Sequence, residues 1–384
     1  MMSNIADSKT YQEIILFDEF YISSLIKDIE NANKTIDIEI YIFADDVIGQ
    51  QVINALRNAA HRGVKIRILI DGIGSFPWSK KITTQLETAG IITRIFHPLP
   101  WLIWQWWHIR NPTSSVISNI LQLFSDMNSR NHCKISIIDQ HIVYVGGANI
   151  TIHNLNKADG GDHWRDTTVK LIGVNTEEIQ FAFERIWSHL PIHTRLKYAF
   201  RYIDPEPIFR LNYSWRRRRI LYRSLLKRMM YCNQRIWITN SYFVPDDFLL
   251  KTLIKAAKKG VDVRILLPYK SDVFIVSLAS YTFYSTLLKG NIAIFEYLPS
   301  MLHAKTLILD DWYCVGSSNL NSRSLRHDLE VDVWIRTENA KIELEQQFII
   351  DLEQSRKITK DDLKKQPFYM ALAGRLFLFL RYWI

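Results

Sequence analysis

The sequence predicts an α/β protein made of two similar halves, and three observations predict it. Its 384 residues suffice for two domains of ordinary size, about 100–200 residues each. A strand–loop–helix–strand segment occurs twice, starting at residues 36 and 236. A hairpin-forming segment that opens on His-x-Lys follows each copy, at His132 and His303. The 48% hydrophobic content argues against disorder, and 14 Gly and 11 Pro are too few for a fibrous or low-complexity chain. Three cysteines (Cys133, Cys232, Cys314) without CxxC spacing exclude a disulfide framework and suggest no zinc site, so a reducing compartment is the default.

Residues 36–70, IDIEIYIFADDVIGQQVINALRNAAHRGVKIRILI, read as strand, loop, helix and strand. Residues 236–267, IWITNSYFVPDDFLLKTLIKAAKKGVDVRILL, read the same way. Tyr41 and Tyr242 occupy similar places before an Asp-Asp pair, and each helix ends in Ala-Ala-x-x-Gly-Val-x-x-Arg. The glycine is the usual helix stop, and a β-branched strand follows. After Asn131-His132-Cys133-Lys134 comes ISIIDQHIVYVGGANI, and after Leu302-His303-Ala304-Lys305 comes TLILDDWYCVGSSNLN. Both fit β-hairpins, with turns at Asp139-Gln140-His141 and Asp310-Asp311-Trp312. A short helix, Glu177 to His189, is expected to close the first half, and the polar, basic stretch 190–222 holds the boundary. The expected domains are 1–200, with a Trp-rich insertion at 98–131, then 201–350, then a C-terminal amphipathic tail at 351–384.

Side chains alternate faces along a strand, so His132 and Lys134 point one way and Cys133 the other, as do His303 and Lys305 against Ala304. Asn149 or Asn319, with the backbone at Gly147 or Ser317, returns from the hairpin to the same face. Imidazole, ammonium, amide and a tight turn together suit a phosphate oxyanion. Two such sites facing each other can break and remake a phosphodiester bond: one neutral imidazole attacks phosphorus while the protonated other donates to the departing alkoxide. Lys134 and Lys305 supply the charge stabilisation, so no metal or other cofactor is required. Asp166 and Glu330, in strand-like segments downstream of the hairpins, are candidates to orient the imidazoles. Asp139 and Asp310 complete the two His-x-Lys-x4-Asp motifs and are grouped with their catalytic residues, while their turn positions suggest bonding to the hairpin backbone. His163 is near enough to Asp166 to stay open as a further member.

These paired motifs, His132, Lys134, Asp139, Gly146, Asn149 and His303, Lys305, Asp310, Gly316, Ser317, Asn319, resemble the twin HKD motifs of the phospholipase D superfamily. The resemblance covers residues ~15–340. Tyr41 to Gly49, Trp164-Arg165-Asp166, Tyr242 to Asp246, and Gly316 through Arg323-Ser324 to Glu330 make the chain similar to the bacterial cardiolipin synthases. It implies a pseudo-symmetric α/β/α sandwich with one active site between the halves, His132 as nucleophile and His303 as acid. The residues alone leave that order open. It also implies transfer of a phosphatidyl group between two phosphatidylglycerols, with hydrolysis of phospholipids, or a nuclease activity, as alternatives. Gly147 departs from the serine common at that position.

The lipid reading rests on further segments. PLPWLIWQWWHIR in the insertion carries Trp101, Trp104, Trp106 and Trp107, and tryptophan prefers the headgroup level of a bilayer. The C-terminal PFYMALAGRLFLFLRYWI is apolar but interrupted by Arg375 and Arg381, which suits an interfacial helix. The run Arg216 to Arg219, with Arg223, Lys227 and Arg228, adds a basic surface to a net charge of +9. Clustered apolar runs beside one active site suit acyl chains better than bases, so no nucleic-acid partner is expected. No stretch of ~18 uncharged apolar residues is present. The chain thus resembles the shorter type without N-terminal transmembrane helices, peripheral on the cytoplasmic face of the inner membrane.

Overall fold

The computed structural model describes residues 11–97, 130–188 and 203–364. The first half builds one sheet from β1 (Gln12–Phe17), β2 (Thr35–Ile40), β3 (Lys65–Asp71), β4 (Ile92–Phe96), β5 (Ile135–Ile138), β6 (Ile142–Gly146) and β7 (Thr167–Ile172), in the spatial order β1-β7-β6-β5-β2-β3-β4. The second half repeats it with β8 (Phe209–Leu211), β9 (Arg235–Thr239), β10 (Asp262–Pro268), β11 (Ala293–Tyr297), β12 (Thr306–Leu309), β13 (Trp312–Gly316) and β14 (Val331–Ile335). β15 (Ser355–Lys357) adds an edge, giving the order β15-β11-β10-β9-β12-β13-β14-β8. In each sheet three neighbouring strands, β2, β3 and β4 or β9, β10 and β11, are parallel and the hairpin strands run against them.

Helices α1 (Phe20–Asn31), α2 (Val47–His61) and α3 (Ser79–Thr88) belong to the first half. Ile36, Ile38 and Ile40 of β2 face this layer and share a core with Leu25 and Leu56. Helices α5 (Trp215–Tyr231), α6 (Asp247–Lys258) and α7 (Phe274–Lys289), with the short α8 (Ser322–Arg326), cover the second sheet around Ile236 and Ile238. A third core lies between the sheets, where Ile135, Val143 and Val169 meet Ile308, Val315 and Val333, with α4 (Glu177–Trp187) and α9 (Glu338–Glu353) packed against it. The expected α/β/α halves, joined face to face, are therefore present.

Polar contacts lock the halves together. Arg165 is buried and bonds Asp351 of α9 at 3.0–3.1 Å. The Glu13 carboxylate accepts from the Arg336 and Thr337 amides at the start of α9. Within the polar stretch 190–222, residues 209–211 and 215 onward are β8 and α5 of the second half. Residues 351–364 likewise belong to that half and not to a separate tail. Their path ends α9, forms β15 against β11, and turns into α10 (Lys360–Lys364). Residues 98–129 and 365–384, with Trp101, Trp104, Trp106, Trp107, Arg375 and Arg381, lie outside the described residues.

Candidate active site

Because β5 runs antiparallel to β2, its start lies at the edge where β2 ends, and β12 stands likewise to β9. The two His-x-Lys segments immediately precede β5 and β12, so the topology brings both motifs to one edge. There each segment pairs with the opposite half. His132 N donates to Leu329 O and Leu329 N to Arg130 O, while Arg165 N donates to Met301 O and His303 N to Arg165 O. These short parallel bridges carry the carboxylates across. Glu330 follows Leu329 and serves His132, with Nδ1 at 3.0–3.1 Å from its oxygens. Asp166 follows Arg165 and serves His303, with Nδ1 at 2.6 Å. Each imidazole is therefore oriented by the half that does not contain it.

With a carboxylate on Nδ1, each ring keeps Nε2 for chemistry. Lys305 Nζ stands 2.9 Å from His303 Nε2 and also donates to the His303 carbonyl, and Lys134 Nζ donates to the His132 carbonyl at 2.8 Å. Tyr41 lies edge-on to the His132 ring at 5.0 Å, and Tyr242 to His303 at 6.2 Å. Trp164, itself stacked on His153, closes the other side of His303 at 5.6 Å.

Burial sets the protonation states. It lowers Lys305 to about 7, with the Lys134 cation adding to the effect, and lowers Lys134 to about 8. It holds His132 well below its ordinary value, helped by Lys134 and Lys305. His303 is also lowered, by burial and then Lys305, but Asp166 pulls the other way. The two carboxylates differ. Burial would raise Asp166, yet His303 and Lys305 hold it below the usual range. Glu330 is pushed up to about 7 by burial, although Lys134 and the hydroxyls of Ser317 and Ser324 oppose this.

The remaining motif residues separate into distinct tasks. The Asp139 carboxylate, in a turn with positive φ at Asp139 and Gln140, accepts from the amides of Asn33, Lys34 and Thr35. Asp310 does the same for Asn233, Gln234 and Arg235. Both lie at the far end of their hairpins, so their motif position does not make them members of the reacting group. Ser317 Oγ bonds Glu330 at 2.5 Å, and Ser324, which the spacing did not single out, bonds its other oxygen. Ser317 thus positions a carboxylate, which differs from the phosphate contact expected of it. Gly147 allows close approach: a Cβ there falls 2.2 Å from Asp166 Oδ1. Asn149 Oδ1 accepts from the Ile42 amide, whereas the buried side-chain oxygen of Asn319 has no hydrogen-bond partner among the described residues. His163 sits in a loop with φ 56°, and the imidazole bound to Asp166 is His303.

Two residues missed in the sequence hold the first motif. Asp71, at the end of β3, accepts from the Asn131 amide at 2.9 Å, and the fully buried Glu39 lies beside Asn131 and Cys133. Their counterparts by register are Pro268 and Thr239, so comparing the repeats position by position exposes the difference. The basic run also divides. Arg217 is buried on the Leu211 carbonyl and Glu178, Arg228 pairs with Glu206, and Arg219, Arg223 and Lys227 are exposed. Among the described residues no group of three or more His, Cys, Asp and Glu side chains is arranged to hold a metal ion, and no helix is long and apolar enough to cross a membrane.

Comparison with known proteins gives the family and the fold. Residues 25–187 and 225–352 match the family model described as cardiolipin synthase, PLD-like domain. A cardiolipin synthase of Halalkalibacterium halodurans is 31% identical over 88% of this chain, and the chain spans 65% of that relative's length. Cardiolipin synthase 2 of Staphylococcus epidermidis is 28% identical over 95% of this chain and 73% of its own. Among solved structures, phosphatidylserine synthase of Haemophilus influenzae Rd KW20 superposes with a TM-score of 0.68 over 97% of this chain and 95% of its own, at 15% identity, and so shares the fold.

Proposed function

Because the chain belongs to the cardiolipin synthase, PLD-like family, we propose that it is a phosphatidyltransferase that joins two phosphatidylglycerols into cardiolipin and glycerol through a phosphohistidine. The carrying observation is the crossed pair of imidazole–carboxylate contacts, each with its own lysine, at one edge of both sheets. His132 Nε2 attacks phosphorus, the bond from phosphorus to the headgroup glycerol oxygen breaks, and that oxygen takes the proton of His303. The headgroup hydroxyl of a second phosphatidylglycerol then returns a proton to His303 and attacks phosphorus, breaking the P–N bond. Two displacements give net retention at phosphorus. Lys134 and Lys305 hold the non-bridging oxygens.

Two features favour His132 as nucleophile. It is held firmly neutral, and its Glu330 is shared with two serine hydroxyls. His303 lies against an ionised Asp166 at 2.6 Å, which favours the imidazolium an acid must become.

Where the parallel strands end, both halves expose apolar side chains: Val47, Ile73 and Phe76 in the first, and Phe248, Val273 and Phe274 in the second. They lie at the same end of the sheets as the histidines. With a net charge of +9, this rim supports a lipid surface of anionic composition as the partner, on the cytoplasmic face of the membrane.

Phosphatidylglycerol vesicles and purified protein, analysed by lipid mass spectrometry, test the reading. Cardiolipin with released glycerol is the expected result, and His132→Ala should abolish both it and the acid-labile P–N adduct of a trapped intermediate. Phosphatidic acid as sole product would replace the transferase with a hydrolase.

A further inference from the structure

The two halves match strand for strand around their lysines, and one of their differences lies on the outer face of each sheet behind the lysine. In the first half, β5 and β6 set Tyr144 opposite Ser136. Its buried ring lies 6.0 Å from that of Tyr21, and its hydroxyl reaches Ser24 at 2.9 Å and Asp28 at 2.5 Å. Aromatic rings fill that space. The same register in the second half puts Cys314 opposite Leu307, and Asp332 opposite Gly316 where Thr168 faces Gly146. A thiol in place of a phenol leaves a cavity of about 60 Å³ between α5 and strands β12, β13 and β14.

The lining defines what fits. Lys305, Asp332, Ser318, Ser324 and Arg210 supply polar groups, with leucines and Cys314 between them. A single water needs roughly 10–15 Å³, so the space takes a molecule of a few heavy atoms and excludes an acyl chain. Asp332 already accepts from the Ser318 amide and hydroxyl, and its carboxylate makes the lining unsuited to a free anion. Hydroxyl groups suit a wall that mixes a carboxylate acceptor, guanidinium and hydroxyl donors, and apolar carbon. Two wall residues belong also to the reacting group. Lys305 meets His303 Nε2, and Ser324 bonds the Glu330 that orients His132.

We propose that this cavity is the subsite for a small polyol, the glycerol headgroup whose hydroxyl exchanges a proton with His303. The inference rests on the proposed transfer reaction and locates its alcohol.

Exchange of deuterated glycerol into phosphatidylglycerol reads the subsite, because a phosphatidyl group on His132 that accepts free glycerol regenerates the starting lipid. Asp332→Asn should raise the glycerol concentration for half-maximal exchange about tenfold, and Cys314→Phe, which fills the space as Tyr144 does, should raise it further. Release of p-nitrophenol from phosphatidyl-p-nitrophenol, which has no glycerol to place, should stay within about twofold of the parent protein. Glycerol dependence unchanged in both variants would overturn the subsite. If Cys314→Phe fails to fold, Asp332→Asn decides. Saturation-transfer NMR with glycerol needs no turnover: transfer that persists undiminished in Asp332→Asn and Cys314→Phe refutes the subsite. Transfer that the variants abolish, in a protein that makes no lipid product, would keep the subsite and reject the transferase.

Discussion

Asp166→Asn tests both the crossed architecture and the division of labour between the histidines. The carboxylate lies 2.6 Å from His303 Nδ1, and both side chains are at most 5% exposed, so water cannot substitute for the lost charge. Two unit charges about 4 Å apart attract by about 4 kcal/mol at an effective dielectric near 20. That is the stabilisation an imidazolium at His303 loses, and about 1.4 kcal/mol per decade makes it roughly a 10³-fold drop in kcat. The single asparagine oxygen must choose between His303 Nδ1 and the Thr167 amide, which donates to Asp166 Oδ1 at 2.8 Å; if the amide group turns to Nδ1 the tautomer is also wrong and the loss reaches about 10⁴-fold. Lipid product from phosphatidylglycerol vesicles measures the drop. The decisive comparison uses phosphatidyl-p-nitrophenol in single turnover, since p-nitrophenolate departs without a proton. There the variant should lose no more than about tenfold in the burst. Glu330→Gln weakens the attacking histidine and should reduce the burst from both substrates alike. Equal losses for both leaving groups in Asp166→Asn would refute His303 as the acid, and near-normal kcat would refute the contact as part of the machinery.

The lysines predict the pH profile: Lys305, lowered to about 7, and Lys134, to about 8, carry charge only below those values, so kcat/KM should fall from about pH 7 upward. A bound phosphodiester favours the charged lysines, so the alkaline limb of kcat should lie higher, and a lower limb would contradict their role as phosphate ligands. Asp139→Ala and Asp310→Ala should each cost about 1–2 kcal/mol in denaturant midpoint, from lost amide contacts, with kcat unchanged. Backbone amides hold both carboxyls below the ordinary range against the opposing effect of burial. Their stabilisation is thus present above the unfolded value near 4 and lost as pH falls through the folded one, so variants and parent should converge in acid. Gly147→Ser places a Cβ 2.2 Å from Asp166 Oδ1 and should lower kcat at least tenfold with little change in melting temperature. Replacing Phe248 and Phe274 together with serine should weaken sedimentation with phosphatidylglycerol vesicles while turnover of detergent-solubilised lipid stays near normal.

The repeats made much of this legible because each carries its own local signals. Period-2 strands, helix-stopping glycines and the His-x-Lys pairs recur at matched spacing, and the two-residue turn at Asp310 against the three-residue turn at Asp139 follows from counting. What sequence spacing could not deliver is pairing between halves. Asp166 lies close in sequence to His163 and closer to His132 than to His303, yet it bonds His303, because the bridge from Arg165 to Leu302 joins segments 137 residues apart. Glu39 was likewise illegible: in the sequence it is one polar member of an alternating strand, and only the second sheet closing over that face makes it a buried carboxyl pushed up to about 7. The basic run at α5 misled for the converse reason, since helix periodicity turns Arg217 inward and Arg219 outward.

Crossing the carboxylates makes the site a property of the closed pair of halves. A first half alone holds His132 and Lys134 but leaves His132 without a carboxylate, and holds Asp166 with nothing to orient. In two identical halves about a two-fold axis, the two histidines would be interchangeable, and either could attack. Three differences remove that equivalence here: Gly147 against Ser317, Asp166 against Glu330, and Tyr144 against Cys314. The first two act on the carboxylates. Ser317 and Ser324 share the negative charge of Glu330 with His132, whereas Gly147 brings Asp166 close to His303 with no hydroxyl between. The third leaves a space behind Lys305. All three point the same way: the ionised carboxylate and the space behind Lys305 both lie on the His303 side, which is the division of labour of the proposed reaction, with proton transfer at His303 and phosphorus on His132.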